Sequence, residues 1–139
     1  MQWRSKSPHN SVEIMNLHNR ILLVEDSDDS RQSLSKLLEF EGYQVIEASD
    51  GEIAIEMAIK ERPDLILMDL SLPIVDGLSA TRRIKAERTF SNVPIIALSG
   101  HDEIDFHARA LAAGCSDYMS KPIDFAALVS KLSSLLKNQ

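Results

Sequence analysis

Cysteine is almost missing from this chain: Cys115 is the only one among 139 residues. A single thiol closes no intrachain disulfide and builds no Cys-rich metal site. Long apolar runs are absent as well, and none approaches the roughly 18 residues of a membrane helix. There is no basic run. Fifteen Lys and Arg stand against twenty-one Asp and Glu, a formal net charge of -6. So acidic a chain is a poor candidate for wrapping nucleic acid or coating an anionic membrane. The charged-then-apolar layout of a secretory leader is lacking at the N-terminus. A reducing cytoplasm is the expected compartment. What is present is ordinary: 44% apolar and 26% charged residues, enough for one folded domain with its own core.

Residues 1–19 are polar, contain Pro8 and hold no sustained period. They read as a tail or linker, with Met15 as an alternative start or the segment as the stub of a longer parent chain. From residue 20 to 138 the pattern is regular. Ile21–Val24, Leu65–Met68 and Ile95–Leu98 are short unbroken apolar runs, which fit strands buried on both faces of a parallel sheet. Tyr43–Ala48 and Asp117–Met119 are mixed runs and fit its edges.

Helical patterns lie between these runs. Ser27, Asp28, Asp29 and Ser30 offer N-cap oxygens ahead of Leu34, Leu37 and Leu38, and Gly42 suits the C-terminal end. A second stripe is Ile53, Ala54, Met57 and Ala58. A weaker third is Leu78, Thr81, Ile84 and Lys85. The fourth is Ile104, Ala108 and Leu111, closed by Gly114. The last holds Phe125, Leu128, Val129, Leu132, Leu135 and Leu136 on one face. Strands alternating with helices specify an α/β domain with a parallel sheet. Placing the two mixed runs at the edges gives the order 2-1-3-4-5, a flavodoxin-like doubly wound sheet with five surrounding helices.

In that arrangement ligands sit outside the carboxyl ends of the strands. Glu25 and Asp26 end the first run, Asp69 the third, and Ser99 and Gly100 the fourth; Lys121 and Pro122 follow the fifth. The sheet therefore delivers all these groups to one rim. Two carboxylates about 5 Å apart repel by about 3 kcal/mol at an effective dielectric near 20. Three together require either a proton or a bound cation. Oxygen-only donors suit a hard divalent ion such as Mg²⁺. An aspartate beside a metal and a lysine is a competent nucleophile toward phosphorus, and hydroxyl and backbone N–H donors would steady the transferring oxygens. Asp69, on a middle strand, is the central candidate.

These residues carry a family likeness. Leu22–Asp26, Asp64–Leu70, Pro73–Gly77, Ala97–Gly100 and Tyr118–Pro122 occur in order at successive strand ends. From Arg20 to about Leu136 the chain resembles a receiver domain of the two-component response regulators. The resemblance implies that Asp69 accepts phosphate from a phosphohistidine on a histidine kinase or histidine phosphotransfer protein. Glu25 and Asp26 would hold Mg²⁺ together with Asp69 and the backbone carbonyl of Ser71. Ser99 would hydrogen-bond the phosphoryl group and swing toward it, with Tyr118 changing rotamer in step. Lys121 would pair with a phosphoryl oxygen, and its bond to Pro122 would be cis. Such a protein is a phosphoacceptor that assists its own phosphorylation and dephosphorylation, not a separate enzyme. Its output would be a changed surface on the fourth helix, fifth strand and fifth helix, offered to a downstream protein. Ser99 stands where the family often has Thr, and keeps the hydroxyl. Ser71 and His101 lie where the family tunes the lifetime of the phosphate.

Each residue also has a plainer role: capping for Glu25 and Asp26, a turn for Asp69, a loop for Ser99 and Gly100, edge packing for Tyr118. The four scattered histidines, His9, His18, His101 and His107, do not group as metal ligands, and Cys115 reads as a small apolar residue. Two other functions suit the fold. A nucleotide- or flavin-binding protein would need an anion cradle after the first strand, but that loop reads Glu-Asp-Ser-Asp-Asp-Ser. A phosphorylation-independent scaffold would have no use for the acids, Ser99 and Lys121 together. The sequence stops at Gln139, directly after the last helix pattern, so a stand-alone receiver, or one cut from a hybrid kinase or larger regulator, is the expectation.

Overall fold

The computed structural model describes residues 19–100 and 104–137. The tail to residue 18, including His9 and His18, lies outside them, and so does His101. The chain runs β1 (Arg20–Val24), α1 (Asp28–Phe40), β2 (Gln44–Ala48), α2 (Gly51–Glu61), β3 (Leu65–Asp69) and α3 (Gly77–Lys85). A short 3₁₀ turn (Arg88–Phe90), β4 (Ile95–Ser99), α4 (Ile104–Ala113), β5 (Asp117–Ser120) and α5 (Phe125–Lys137) complete it. The strands form one sheet in the order β2-β1-β3-β4-β5, and every neighbouring pair is parallel. The expected architecture is thus the observed one.

Alternation along each strand divides the core in two. Ile21, Leu23, Leu65, Leu67, Ile96 and Leu98 face α1 and α5, packing with Leu38, Leu128 and Leu132. Leu22, Val24, Ile66, Met68, Ile95 and Ala97 face α2, α3 and α4 on the other side. All residues of β3 and β4 are buried, whereas β2 and β5 are only partly so. Two-sided burial is why the central runs carry no polar alternation.

Caps start the helices at the site end. The side chains of Ser27, Asp50 and Asp76 accept N–H bonds from Ser30, Ile53 and Ser79 at the starts of α1, α2 and α3. Gly42 follows α1 with φ +100, the left-handed geometry that glycine adopts at low cost. The fourth helical stripe is corrected by the structure. α4 buries Ala110 and Ala113, with Phe106 half-buried, and turns Ala108 and Leu111 outward. A helix rich in alanine has no single bulky face. Its rotation follows from the close approach that Ala110 and Ala113 allow against the sheet. In α1, Leu37 is likewise half-exposed, while Ser35 and Leu38 go inside.

The loop after β3 holds a costly residue. Ile74 has φ +68, yet its side chain is 80% exposed. A β-branched residue is out of place in the left-handed region, and this side chain gains no packing in return. Ile74→Gly is expected to raise stability by about 1 kcal/mol, read as a higher midpoint in urea unfolding. An unchanged or lower midpoint would contradict this account.

Candidate functional site

Parallel strands end on one side of the sheet, and each candidate side chain arrives there by its own strand. Val24 pairs with Met68 across β1 and β3. Glu25 and Asp26 therefore extend past the sheet beside Asp69. One carboxylate oxygen from each of Glu25, Asp26 and Asp69 lies within 4.8 Å of the others. Asp69 is opposite Leu98 in the pairing with β4, which puts Ser99 one residue further along the same rim. Ser99 is fully buried and opposes Ser120 on β5. The Ser99 carbonyl accepts the Lys121 N–H at 2.7 Å, and the Lys121–Pro122 peptide is cis.

Lys121 turns back over the acids. Its Nζ is 2.9 Å from Glu25 Oε1 and 3.2 Å from Asp69 Oδ2. The remaining carboxylate oxygens take backbone donors. Ser27 N–H donates to Glu25 Oε2 at 3.1 Å, and Ser71 N–H donates to Asp69 Oδ1 at 3.1 Å. Glu25 and Asp69 are 5% and 2% exposed, while Asp26 is open to solvent.

Burial and the neighbouring Glu25 carboxylate outweigh the Ser71 N–H and Lys121, and Asp69 is pushed up to about 6. Glu25 moves the other way. Its burial is overcome by the hydrogen bond from Lys121, the Ser27 N–H and the ammonium charge, which hold it below the usual carboxylate range. Lys121 loses solvation, but its hydrogen bond to Glu25 and the charge of Asp69 more than restore its proton. The physical content is a surplus of negative charge. Three carboxylates face one ammonium, and of the two buried ones Asp69 is the last to ionise. A divalent cation removes that surplus. Oxygen donors from two loops, with Asp26 open to water, match a small hard ion that keeps part of its hydration shell.

One flank of the rim, at Glu25 and Lys121, borders a cleft that Asp69 does not line. This cleft of about 540 Å³ opens between α1 and the segment after β5, with Glu25, Leu34, Leu98, Lys121 and Ile123 among its walls. Gly77 lets the loop after β3 close against the strand it leaves. A Cβ there would lie 2.2 Å from the Asp69 carbonyl oxygen and 2.6 Å from the Leu70 Cα. Glycine is required for this close approach rather than for its φ.

Most of the residues singled out in the sequence therefore meet. Glu25, Asp26, Asp69 and Lys121 share one cluster, Ser71 touches it through its N–H, and Ser99 borders it. Tyr118 stands apart on β5, opposite Ala97, with its ring 3.8 Å from that of His107 on α4. Sequence reasoning passed over Arg31 and Glu47. The side chain of Arg31 bonds the Glu25 carbonyl, Asp28 and Glu47. The order Glu-Asp followed by an arginine five residues on was the only available signal.

Comparison with known proteins agrees with this architecture. A family model described as response regulator receiver domain matches residues 21–133. Response regulator MprA of Mycobacterium leprae is 36% identical over 118 residues, 85% of this chain and 51% of MprA. Transcriptional regulatory protein PrrA of Mycobacterium tuberculosis is 35% identical over 120 residues, 86% of this chain and 51% of PrrA. The chain spans about half the length of these curated relatives. Among solved structures, the receiver domain of a sensor histidine kinase from Pseudomonas aeruginosa has a magnesium ion coordinated in its active site cleft. It superimposes with a TM-score of 0.80 at 39% identity, covering 86% of this chain and 98% of that one. The BeF3-activated receiver domain of Klebsiella pneumoniae RstA gives 0.79 at 30% identity, covering 85% and 98%. With the sheet order, the acidic rim and a family match across residues 21–133, this chain belongs to the response regulator receiver domains of two-component systems.

Proposed function

We propose that this chain is a phosphorylation switch in which Asp69 takes the phosphoryl group from a phosphohistidine of a histidine kinase or histidine phosphotransfer protein. The observation that carries this is the placement of Asp69, with a carboxylate oxygen within 4.8 Å of those of Glu25 and Asp26 and 3.2 Å from Lys121 Nζ. Asp69 is a carboxylate held in surplus negative charge at the end of a central strand. Mg²⁺ would be held by Glu25, Asp26, Asp69 and the backbone carbonyl of Ser71, and would neutralise charge on the transferring oxygens. The chain's own groups do the rest. Lys121 leaves its contact with Asp69 Oδ2 to pair with a phosphoryl oxygen, and the Ser99 hydroxyl donates to another. The same constellation assists the return reaction with water. Ser71 and His101 lie near the positions at which the family tunes that rate.

The phosphorylated carboxyl group adds charge and acceptor oxygens, and it favours the state in which Ser99 and Lys121 reach them. Ser99 and Tyr118 then move together, and the face made by α4, β5 and α5 changes. That face is the proposed contact for a downstream protein, with no direct role for nucleic acid or membrane. Residues 20–138 form the receiver unit in this reading, and 1–19 its tail or linker. The cytoplasm is its proposed compartment; among the described residues no helix is long and apolar enough to cross a membrane.

The experiment is intact-mass measurement after incubation with acetyl phosphate, with and without Mg²⁺. Addition of one phosphoryl group, dependent on Mg²⁺ and mapped to Asp69, is the expected result. No addition, or addition elsewhere, refutes the reading.

A further inference from the structure

Arg31 lies on the first turns of α1, outside the acid cluster, and its side chain is only 13% exposed. Each of its three guanidinium nitrogens is used. Nη1 donates to the Glu25 carbonyl at 2.9 Å, Nη2 to Asp28 Oδ1 at 2.7 Å, and Nε to Glu47 Oε1 at 2.9 Å. Glu47 is on edge strand β2, Asp28 opens α1, and the Glu25 carbonyl belongs to the peptide that leads into Asp26. Arg31 therefore ties the loop carrying two of the three acids to a neighbouring strand and to its own helix. The Glu25 N–H, bonded to the Ala48 carbonyl at 3.0 Å, pins the same loop from its other side.

From this geometry we infer that Arg31 is a positioning residue for the cation site: it sets the direction in which the Glu25–Asp26 loop presents its carboxylates. The inference rests on the reading of that cluster as a Mg²⁺ site. A planar fork with three bonded nitrogens fixes three groups at once. A lysine ammonium, as a point charge on a flexible stem, does not replace it. Partners that orient metal ligands from behind are commonly worth 10–100-fold in affinity.

The sign of the effect separates positioning from simple charge. Arg31 is a cation beside a cation site, so by charge alone its removal would favour Mg²⁺. Removal also leaves Asp28 and Glu47 without its charge, which points the same way. Positioning predicts the reverse.

The test is calorimetric titration of the full chain with MgCl₂. Arg31→Ala and Arg31→Lys are expected to weaken Mg²⁺ binding by about tenfold. In acetyl phosphate labelling the same variants are expected to need correspondingly more Mg²⁺ for half-maximal rate. They should reach a maximum within about twofold of the parent, because Asp69, Ser99 and Lys121 are untouched. A merely structural arginine would lower the unfolding midpoint without this separation of affinity from maximal rate. Should Arg31→Ala fail to fold, Arg31→Lys, which keeps the charge and loses the planar fork, carries the test. Equal or tighter Mg²⁺ binding by the folded variants overturns the inference and leaves the site reading standing. A parent chain that binds no Mg²⁺ overturns both.

Discussion

Asp69→Asn and Asp69→Ala are expected to show no mass gain with acetyl phosphate and Mg²⁺, under conditions that label the parent chain. The argument is one of chemistry before geometry. An acyl phosphate needs a carboxylate oxygen as nucleophile, and an amide oxygen or a methyl group supplies none. Glu25 does not stand in for it: it keeps the shorter contact with Lys121, 2.9 Å against 3.2 Å to Asp69, and is held below the usual carboxylate range, which makes it the poorer nucleophile. Asp26 is open to solvent on the far side of the cluster from Ser99 in chain order along the rim. Asparagine has nearly the shape of aspartate and accepts the Ser71 N–H equally well, so a folded variant is expected. Loss of labelling in a chain with an unchanged circular dichroism spectrum would assign the nucleophile. Normal labelling of either variant would refute it.

The same asparagine is expected to make the metal-free protein more stable at neutral pH. Asp69 is pushed from 3.8 to about 6 by burial and by Glu25. A group raised in the folded state favours folding at low pH, and that advantage is lost as pH rises through about 6. At 1.36 kcal/mol for each tenfold change, the full cost of ionised Asp69 at pH 7.5 is on the order of 3 kcal/mol. Glu25, held low, acts in the opposite sense: its contribution is present at neutral pH and is lost on strong acidification, below the usual 4.5. The metal-free parent should therefore be most stable in mildly acidic solution and lose stability toward pH 7.5.

Asp69→Asn removes the first effect and leaves the second. At pH 7.5 its unfolding midpoint should exceed the parent's by on the order of 10 °C, with the gap narrowing as pH falls. Mg²⁺ should close most of that gap. At a hundred times its dissociation constant a ligand of the folded state adds about 2.7 kcal/mol, and the parent holds the better site. Thermal melts of both chains at pH 5 and 7.5, with and without Mg²⁺, give the four comparisons. A parent more stable than Asp69→Asn at pH 7.5 without Mg²⁺ would show that the site carries no surplus charge.

The rim was legible because it depends on strand ends alone. Ile21–Val24, Leu65–Met68 and Ile95–Leu98 are buried runs, and in a parallel sheet whatever follows them emerges on the same side. Glu25, Asp26, Asp69 and Ser99 needed no further information. The face of α4 was not legible. With alanine at positions 108, 110, 112 and 113, apolar character does not mark one side, and the packing of Ala110 and Ala113 decides the rotation.

Sequence by itself determined the strand–helix alternation, the buried centre and mixed edges of the sheet, and therefore the meeting of the acids at one rim. These follow from local periodicity and from the fixed direction of parallel strands. Only the tertiary structure decided how the charges are shared. The bond of Lys121 to Glu25 joins residues 96 apart, and that of Arg31 to Glu47 spans 16. Which carboxylate an ammonium or guanidinium selects depends on separations of a few ångströms and on burial, and periodicity encodes neither. For that reason Glu25, not Asp69, keeps the shorter bond to Lys121, and Asp69 is left as the carboxylate that most needs a proton, a cation or a phosphoryl group.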